Sequence, residues 1–439
     1  QILFPRVQRP RVSPKTLAIF VFSLLSLLVL FYLLPFSTVP TLIILDILSF
    51  FVVSLAVWLV NIPVFIYHNF VIFLSIRKFK RLRPRLVIAV SGSFGKTSTK
   101  EFLATILGQK FRVLKTDASK NSPIGIAETI EKKLTSSHEI FVVEMGAYKR
   151  GEIKKMAAMV EPDIGIITAI NSQHLDLFSR IKTTMRAKYE LIEGLRGARI
   201  GIINADNPFT AEMARWAEKL GVTVFSYSVR QRPSFGQRRF WAEKIKGTLE
   251  DVRFTLREDS DAYPVIVPIL GAHQVGNIIA SIAAAVSAGM TCNEATKACR
   301  FLRAPQKTLV RVPHDTLVLL DDSFNNNPDA AKAAIDVLAI TEKRKFLVFP
   351  PMIELGVSAR RSHREVGVYA GAVCDAILLT NDLYAKEFIA GATSVNKSLD
   401  IRVCTMKNAV AYLRTHVKPG DAILFKGKET ARILEKIRM

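Results

Sequence analysis

The chain has 439 residues, with 61 Lys and Arg against 38 Asp and Glu for a formal charge of +23, and 49% of its residues are hydrophobic. That composition excludes a disordered or collagen-like chain. At roughly 150 residues per domain, the length points to about three units, each able to bury a core. So positive a chain usually meets nucleic acid or an anionic membrane, and the placement of its basic residues decides between them.

From Leu17 to Leu34 the residues are apolar apart from two Ser and a Tyr, and beyond Pro40 a second apolar run extends from Thr41 to Val60. Each run is as long as a bilayer-spanning helix needs and neither has a polar face, so a transmembrane helical hairpin is predicted. The second run, and the lack of a small-residue cleavage site after the first, argue against a signal peptide. Arg6, Arg9, Arg11 and Lys15 precede the hairpin, and Arg77, Lys78, Lys80, Arg81, Arg83 and Arg85 follow it. Lys and Arg mark the cytoplasmic side, so both ends, and the catalytic part, are expected on the cytoplasmic face of the inner membrane. These flanks explain much of the basic excess, and no nucleic-acid partner is expected. Residues 62–79, interrupted by Pro63, His68 and Asn69, are expected to lie at the membrane interface. The chain opens on Gln1 rather than Met, consistent with a longer natural N terminus. Cys292, Cys299, Cys374 and Cys404 form no C-x-x-C pair and read as buried thiols in a reducing compartment.

After the basic stretch, Leu86–Val90 has the pattern of a buried strand, and Ser91-Gly92-Ser93-Phe94-Gly95-Lys96-Thr97-Ser98-Thr99 leads into a helical run through Phe102, Leu103, Ile106 and Leu107. Strand, glycine loop and helix together make a phosphate cradle. Backbone N–H groups at Gly92, Ser93, Gly95 and Ser98 curl round phosphate oxygens, Lys96 supplies a point charge, and the Thr97 hydroxyl can ligate magnesium. The loop is the short form G-x-x-G-K-T, because Val90 stands where the longer pattern has its first glycine. Glu144 ends the strand Ile140–Val143, at the edge where open α/β sheets place ligand groups, and a carboxylate opposite a phosphate loop suits magnesium. His174 follows the strand Ile164–Thr168 towards the same edge; read alone, it is more often structural than a ligand.

The loop and the segments after it resemble the Mur ligases, ATP-dependent amide-forming enzymes of peptidoglycan precursor synthesis. Asn121-Ser122-Pro123-Ile124-Gly125, Val143–Ala147 with Gly151-Glu152-Ile153, Pro162–Thr168 leading to His174-Leu175-Asp176, and Ala187–Leu191 stand in the family's order and spacing. Gly271–Gln274 with Asn277 resembles the family's adenine-side segment. Asp321–Pro328 reads D-D-S-F-N-N-N-P, close to the D-D-S-Y-N-A-N-P of the branch that adds D-alanyl-D-alanine. Met352–Gly356 with His363, and Lys426-Gly427, extend the likeness almost to the C terminus.

The resemblance implies an ATP-dependent ligase that joins an amino acid or a D-Ala-D-Ala type dipeptide to a carboxylate acceptor through an acyl phosphate. The acceptor is a UDP-MurNAc-peptide or a lipid-linked equivalent. It further implies Lys96, His174 and Lys188 as catalytic residues and two magnesium ions, the first on Thr97 and Glu144 and the second on Glu144, His174 and a carbamylated Lys188. Asn277 is expected on adenine, Asp322 on ribose, Asn121 on the acceptor or the phosphates, and Asn325 and Asn326 along the nucleotide cleft. Lys307 stands where the family usually has Arg, Ala169 where it has Asn, and Pro350-Pro351 where it has Gly-Asp. The family's UDP-binding N-terminal domain has no counterpart in this chain, since the hairpin takes its place, so a partner protein that binds the acceptor fits the reading. Two alternatives stay open: a ligase for another polymer or cofactor, of the poly-γ-glutamate type, and a non-catalytic nucleotide-binding scaffold at the membrane.

The expected fold is α/β, with the hairpin and its flanks at 1–84, a central P-loop-type, mostly parallel sheet domain at 85–302 and a C-terminal Rossmann-like domain at 303–439. The run Arg230–Phe240 interrupts the central pattern and reads as a solvated face, with lipid headgroups as the alternative. A short meander is expected from Trp241 to Pro268, and C-terminal strands near 316–320, 345–349, 376–379, 401–404 and 422–425.

Overall fold

The computed structural model describes residues 13–33, 38–147, 149–170, 181–305, 308–324, 326–353 and 355–438. The chain divides into two compact units, residues 1–78 and 79–439. The first unit holds α1 (Pro14–Leu33) and most of α2 (Thr38–Arg81). Both helices are long and apolar enough to cross a membrane. Helix α2 runs unbroken through Pro63 to Arg81, so the separate interfacial segment expected at 62–79 is a continuation of the second helix. A proline removes one N–H from a helix, and that loss is tolerated where the rest of the segment stays helical and apolar.

In the second unit the chain alternates β1 (Leu86–Ser91), α3 (Lys96–Leu107), β2 (Val113–Lys115), α4 (Pro123–Lys133), β3 (Ile140–Glu144), α5 (Glu152–Val160), β4 (Ile164–Ile167), α6 (Ile181–Glu193), β5 (Ile200–Asn204), α7 (Pro208–Lys219) and β6 (Thr223–Ser228). Then come β7 (Arg238–Gly247), β8 (Val252–Glu258), β9 (Asp261–Val267), α8 (Val275–Ser287) and α9 (Cys292–Ala298). The nine strands form one sheet in the order 2-3-1-4-5-6-7-8-9. Strands 1 to 7 are parallel, and β8 and β9 extend the sheet as antiparallel hairpins, which is where the expected meander goes. The order reverses at β1, flanked by β3 and β4, and this switch point opens the crevice into which the glycine loop projects. Fully buried Ile88, Val90, Ile166 and Ile202 face α3 and the alanine-rich α8 in one continuous core.

The second sheet has the order 10-11-15-12-13-14. It is built from β10 (Val310–Val312), β11 (Val318–Asp322), α10 (Pro328–Ala339), β12 (Lys345–Phe349), α11 (Ala359–Gly371), β13 (Ala376–Leu379), α12 (Ala385–Val395), β14 (Asp400–Val403), α13 (Met406–His416), β15 (Ala422–Lys426) and α14 (Ala431–Arg438). Only β10, which no sequence pattern announced, is antiparallel. Alternation along the strands sorts the core: Leu320, Leu347, Phe349 and Leu424 pack under α10, α11 and α12, while Leu319, Phe346, Val348 and Phe425 pack under α13 and α14. Helices α11 and α12 touch backbone to backbone. A Cβ on Gly367 would lie 2.2 Å from Phe388 O, and one on Gly391 would lie 2.1 Å from Arg364 O. The four cysteines are unpaired thiols, Cys404 half-buried and the rest buried.

Candidate functional site

The loop between β1 and α3 is shaped by two glycines in the left-handed region, Gly92 at φ 145° and Gly95 at φ 79°. Neither has room for a side chain: a Cβ on Gly92 would stand 2.1 Å from Thr168 Oγ1, and one on Gly95 would stand 2.4 Å from Asn277 Oδ1. Gly95 caps α3, whose free N–H groups and dipole make an anion site. The Lys96 Nζ donates back to Gly92 O (2.9 Å) and Ser93 O (3.0 Å), so the ammonium lies over the cradle. Burial holds its pKa below the usual lysine range, opposed by the charge of Glu144.

Glu144, 1% exposed at the end of β3, sits beside the loop. Its Oε1 accepts from Thr97 Oγ1 (3.1 Å) and Asn121 Nδ2 (3.0 Å), while its Oε2 accepts no hydrogen bond. A buried carboxylate oxygen left this way, with a threonine hydroxyl on its partner oxygen, fits a divalent cation. Among the described residues no three His, Cys, Asp or Glu cluster as a metal site. Lys188 on α6 is buried, and desolvation, aided by the charge of Lys96, brings its amine down to about 7. Glu190, two residues on, accepts from the backbone N–H of Gly151 (2.8 Å) and Lys154 (3.0 Å), anchoring α6 to the start of α5.

Between the two sheets lies a cavity of about 370 Å³, the right order of size for a nucleoside. Gly95, Ser98, Gln274 and Asn277 line one wall, and Asp322, Asn327 and Lys426 the other. Asn277 accepts from Thr99 Oγ1 (3.3 Å) and donates to Gln274 Oε1 (2.9 Å), which ties α8 to the loop helix. Asp322 and Lys426 pair across β11 and β15 at 2.6 Å. Burial pushes the Asp322 carboxyl up and the Lys426 ammonium down, and the bond between them opposes both shifts. Burial and the Lys426 charge pull the cavity-lining His273 down to about 4.

Lys96, Thr97, Asn121 and Glu144 thus converge at one end of the crevice, with Gly92, Ser93, Gly95 and Ser98 forming the loop, and Asn277 faces Asp322 across the cavity. The Asn326 side chain donates to Pro350 O (2.9 Å) and does not line the cavity, whereas Asn327, which caps α10, does. His174, Lys307 and Asn325 lie outside the described residues. Sequence reasoning passed over Asn204, Asp206, Tyr227 and Arg230, all of which line the cavity. Asn204 and Tyr227 occupy the ends of β5 and β6, so the strand-end rule that singled out Glu144 reaches them too. Asn204 Nδ2 (2.8 Å) and Tyr227 Oη (3.0 Å) both donate to Thr168 O. Asp206 accepts from Ser228 Oγ (2.6 Å) and Val229 N (2.7 Å) and so fixes the turn that carries Arg230. Arg230 therefore belongs to the cavity wall, while Arg232 and Arg239 pair with Asp259, and Arg238 pairs with Glu258, on the rest of the face.

Residues 90–285 match the Mur ligase middle domain, and residues 308–429 match the Mur ligase, glutamate ligase domain. A UDP-N-acetylmuramoyl-tripeptide--D-alanyl-D-alanine ligase of Bacillus subtilis is 30% identical over 80% of this chain and 75% of its own length. The chain belongs to the Mur ligase family. The ligase of the same name from Escherichia coli is 32% identical over 66% of this chain, and the match spans 63% of that enzyme. Among solved structures, a MurF from Acinetobacter baumannii matches this Mur ligase with a TM-score of 0.76 and 25% identity, over 84% of this chain and 80% of that one. A Thermotoga maritima MurF in complex with ADP shares the fold, with a TM-score of 0.73, 23% identity and coverage of 85% and 83%.

Proposed function

We propose that this chain is an ATP-dependent, ADP-forming ligase of the MurF type that adds D-alanyl-D-alanine to the tripeptide of a UDP-N-acetylmuramoyl acceptor in peptidoglycan synthesis. The observation that carries this reading is the meeting of Lys96, Thr97 and Glu144 at one end of a nucleoside-sized cavity whose other wall is Asp322 and Lys426. The central domain, 85–302, holds the phosphates and the C-terminal domain, 303–439, closes the ribose side; residues 1–84 anchor the protein in the membrane with the catalytic part on the cytoplasmic side. Asn277 and Asp322 serve adenine and ribose, and the exposed Arg230 borders the same pocket. Lys96, freed from the carbonyls of Gly92 and Ser93, follows the charge that moves onto the transferred phosphoryl group. Asn121 and Thr97 both donate to Glu144 Oε1, so the carboxylate is fixed before any ligand arrives.

Thr97 and Glu144 would hold one magnesium ion, and Glu144, His174 and Lys188 a second; such ions would neutralise phosphate and orient the acceptor carboxylate. Carbon dioxide adds only to a neutral amine, releasing a proton as the carbamate forms, and an amine brought to about 7 is substantially neutral at physiological pH. Lys188 therefore suits carbamylation. The test is ADP release by purified protein with magnesium and bicarbonate. Release should require both UDP-MurNAc-tripeptide and D-alanyl-D-alanine and should vanish in Lys96→Ala; release that ignores either substrate, or none with both, defeats the proposal.

A further inference from the structure

Lys100 lies one turn beyond Lys96 on α3, and its side chain is fully buried. Lysines are almost never fully buried unless paired, because an ammonium taken out of water is costly and methionine fills similar space without that cost. The Lys100 Nζ stands 3.1 Å from Glu101 Oε1 and 3.5 Å from Glu144 Oε2, the oxygen that accepts no hydrogen bond. The other Glu101 oxygen is taken by Lys115 at the end of β2. Lys115, Glu101, Lys100 and Glu144 form a row of alternating charge that runs from a partly exposed lysine to the phosphate loop. Nothing in the phosphate cradle itself requires this row, since Lys96 and the loop amides already serve an anion.

We propose that Lys100 is a positioning residue that occupies, as a fixed ammonium, the electrostatic place of a divalent cation at Glu144, and that Glu101 sets how strongly it does so. The proposal rests on Glu144 being a cation ligand. Two consequences follow from the geometry. The buried carboxylate stays paired and aimed while the site lacks nucleotide, and a bare cation meets a fixed positive charge within 4 Å of its ligand, so it binds firmly only together with phosphate. Removing the ammonium lifts that repulsion. Removing the charge of Glu101 hands Lys100 wholly to Glu144 and strengthens the repulsion.

The test is Mn2+ binding to the nucleotide-free full-length protein, read from the electron paramagnetic resonance signal of free Mn2+, with thermal unfolding as the check on folding. Lys100→Met should bind Mn2+ at least tenfold more tightly than the parent, and Glu101→Gln several-fold more weakly. A merely structural role moves both variants the same way or leaves binding unchanged, and either result overturns the proposal. Should Lys100→Met fail to fold, Glu101→Gln decides alone: unchanged or tighter binding overturns it. Adding Glu144→Gln to Lys100→Met should erase the gain; tighter binding that survives this change refutes Glu144 as the ligand rather than the role of Lys100.

Discussion

At the scale of single residues, the site places charged and polar groups where water cannot screen them. Lys188 shows the consequence for pH. Its amine falls from an ordinary 10.5 to about 7 in the folded protein, so the folded state is penalised below about pH 7 and the penalty fades as the pH climbs towards 10.5. Lys188→Met, without bicarbonate, is expected to melt above the parent at pH 7, with the gap closing by pH 10, and to lose ADP formation; calorimetry across that range checks it. Gly95→Ala forces a side chain into the left-handed region and against Asn277, so ATP binding should fall more than tenfold by isothermal titration while the protein stays folded. Lys96, Thr97 and Glu144 were legible because a phosphate loop and a strand-end carboxylate are local patterns. Arg230 was not, because its run of Arg, Gln and Pro looks like any solvated surface until Asp206, from another strand end, fixes the turn beneath it. Lys100 was silent for the same reason: a helix lysine reads as exposed unless its burial is seen.

At the scale of elements, local signals located most of the fold. The strands at 345–349 and 376–379 stand where the apolar runs placed them, and the strand expected at 316–320 is shifted to 318–322, ending on Asp322, which lines the cavity. What could not be read was pairing: β10 is three residues long and exists as a strand only because β11 offers an edge. Helix α2 was misread because Pro63 is a helix breaker in water and a tolerated defect in a long apolar helix. Capping is the most local signal. Thr291 Oγ1 accepts from Glu294 N (3.1 Å) and Glu294 Oε2 accepts from Thr291 N (2.7 Å), a complete capping box on α9. Thr291→Ala should cost about 1 kcal/mol of stability in chemical denaturation and leave ADP release unchanged, since α9 supplies nothing to the site.

At the scale of the whole molecule, the two long apolar helices of residues 1–78 and the soluble-type core of 79–439 are distinct compact units. With nearly all of their apolar side chains uncovered, α1 and α2 are expected to hold the protein in membranes through an alkaline carbonate wash, and recovery in the soluble fraction would contradict a spanning role. Within the larger unit, the close backbone approach of α11 and α12 at their glycines has a mechanical meaning. Helices separated by leucines slide by exchanging rotamers, but where backbone meets backbone at Gly367 and Gly391 no such compliance is left. The pair can only travel as one plate, together with the sheet face it covers. Any opening of the cleft must then be borne by the connecting loops at its rim, so a stiffening substitution in those loops would throttle nucleotide exchange without touching a ligand.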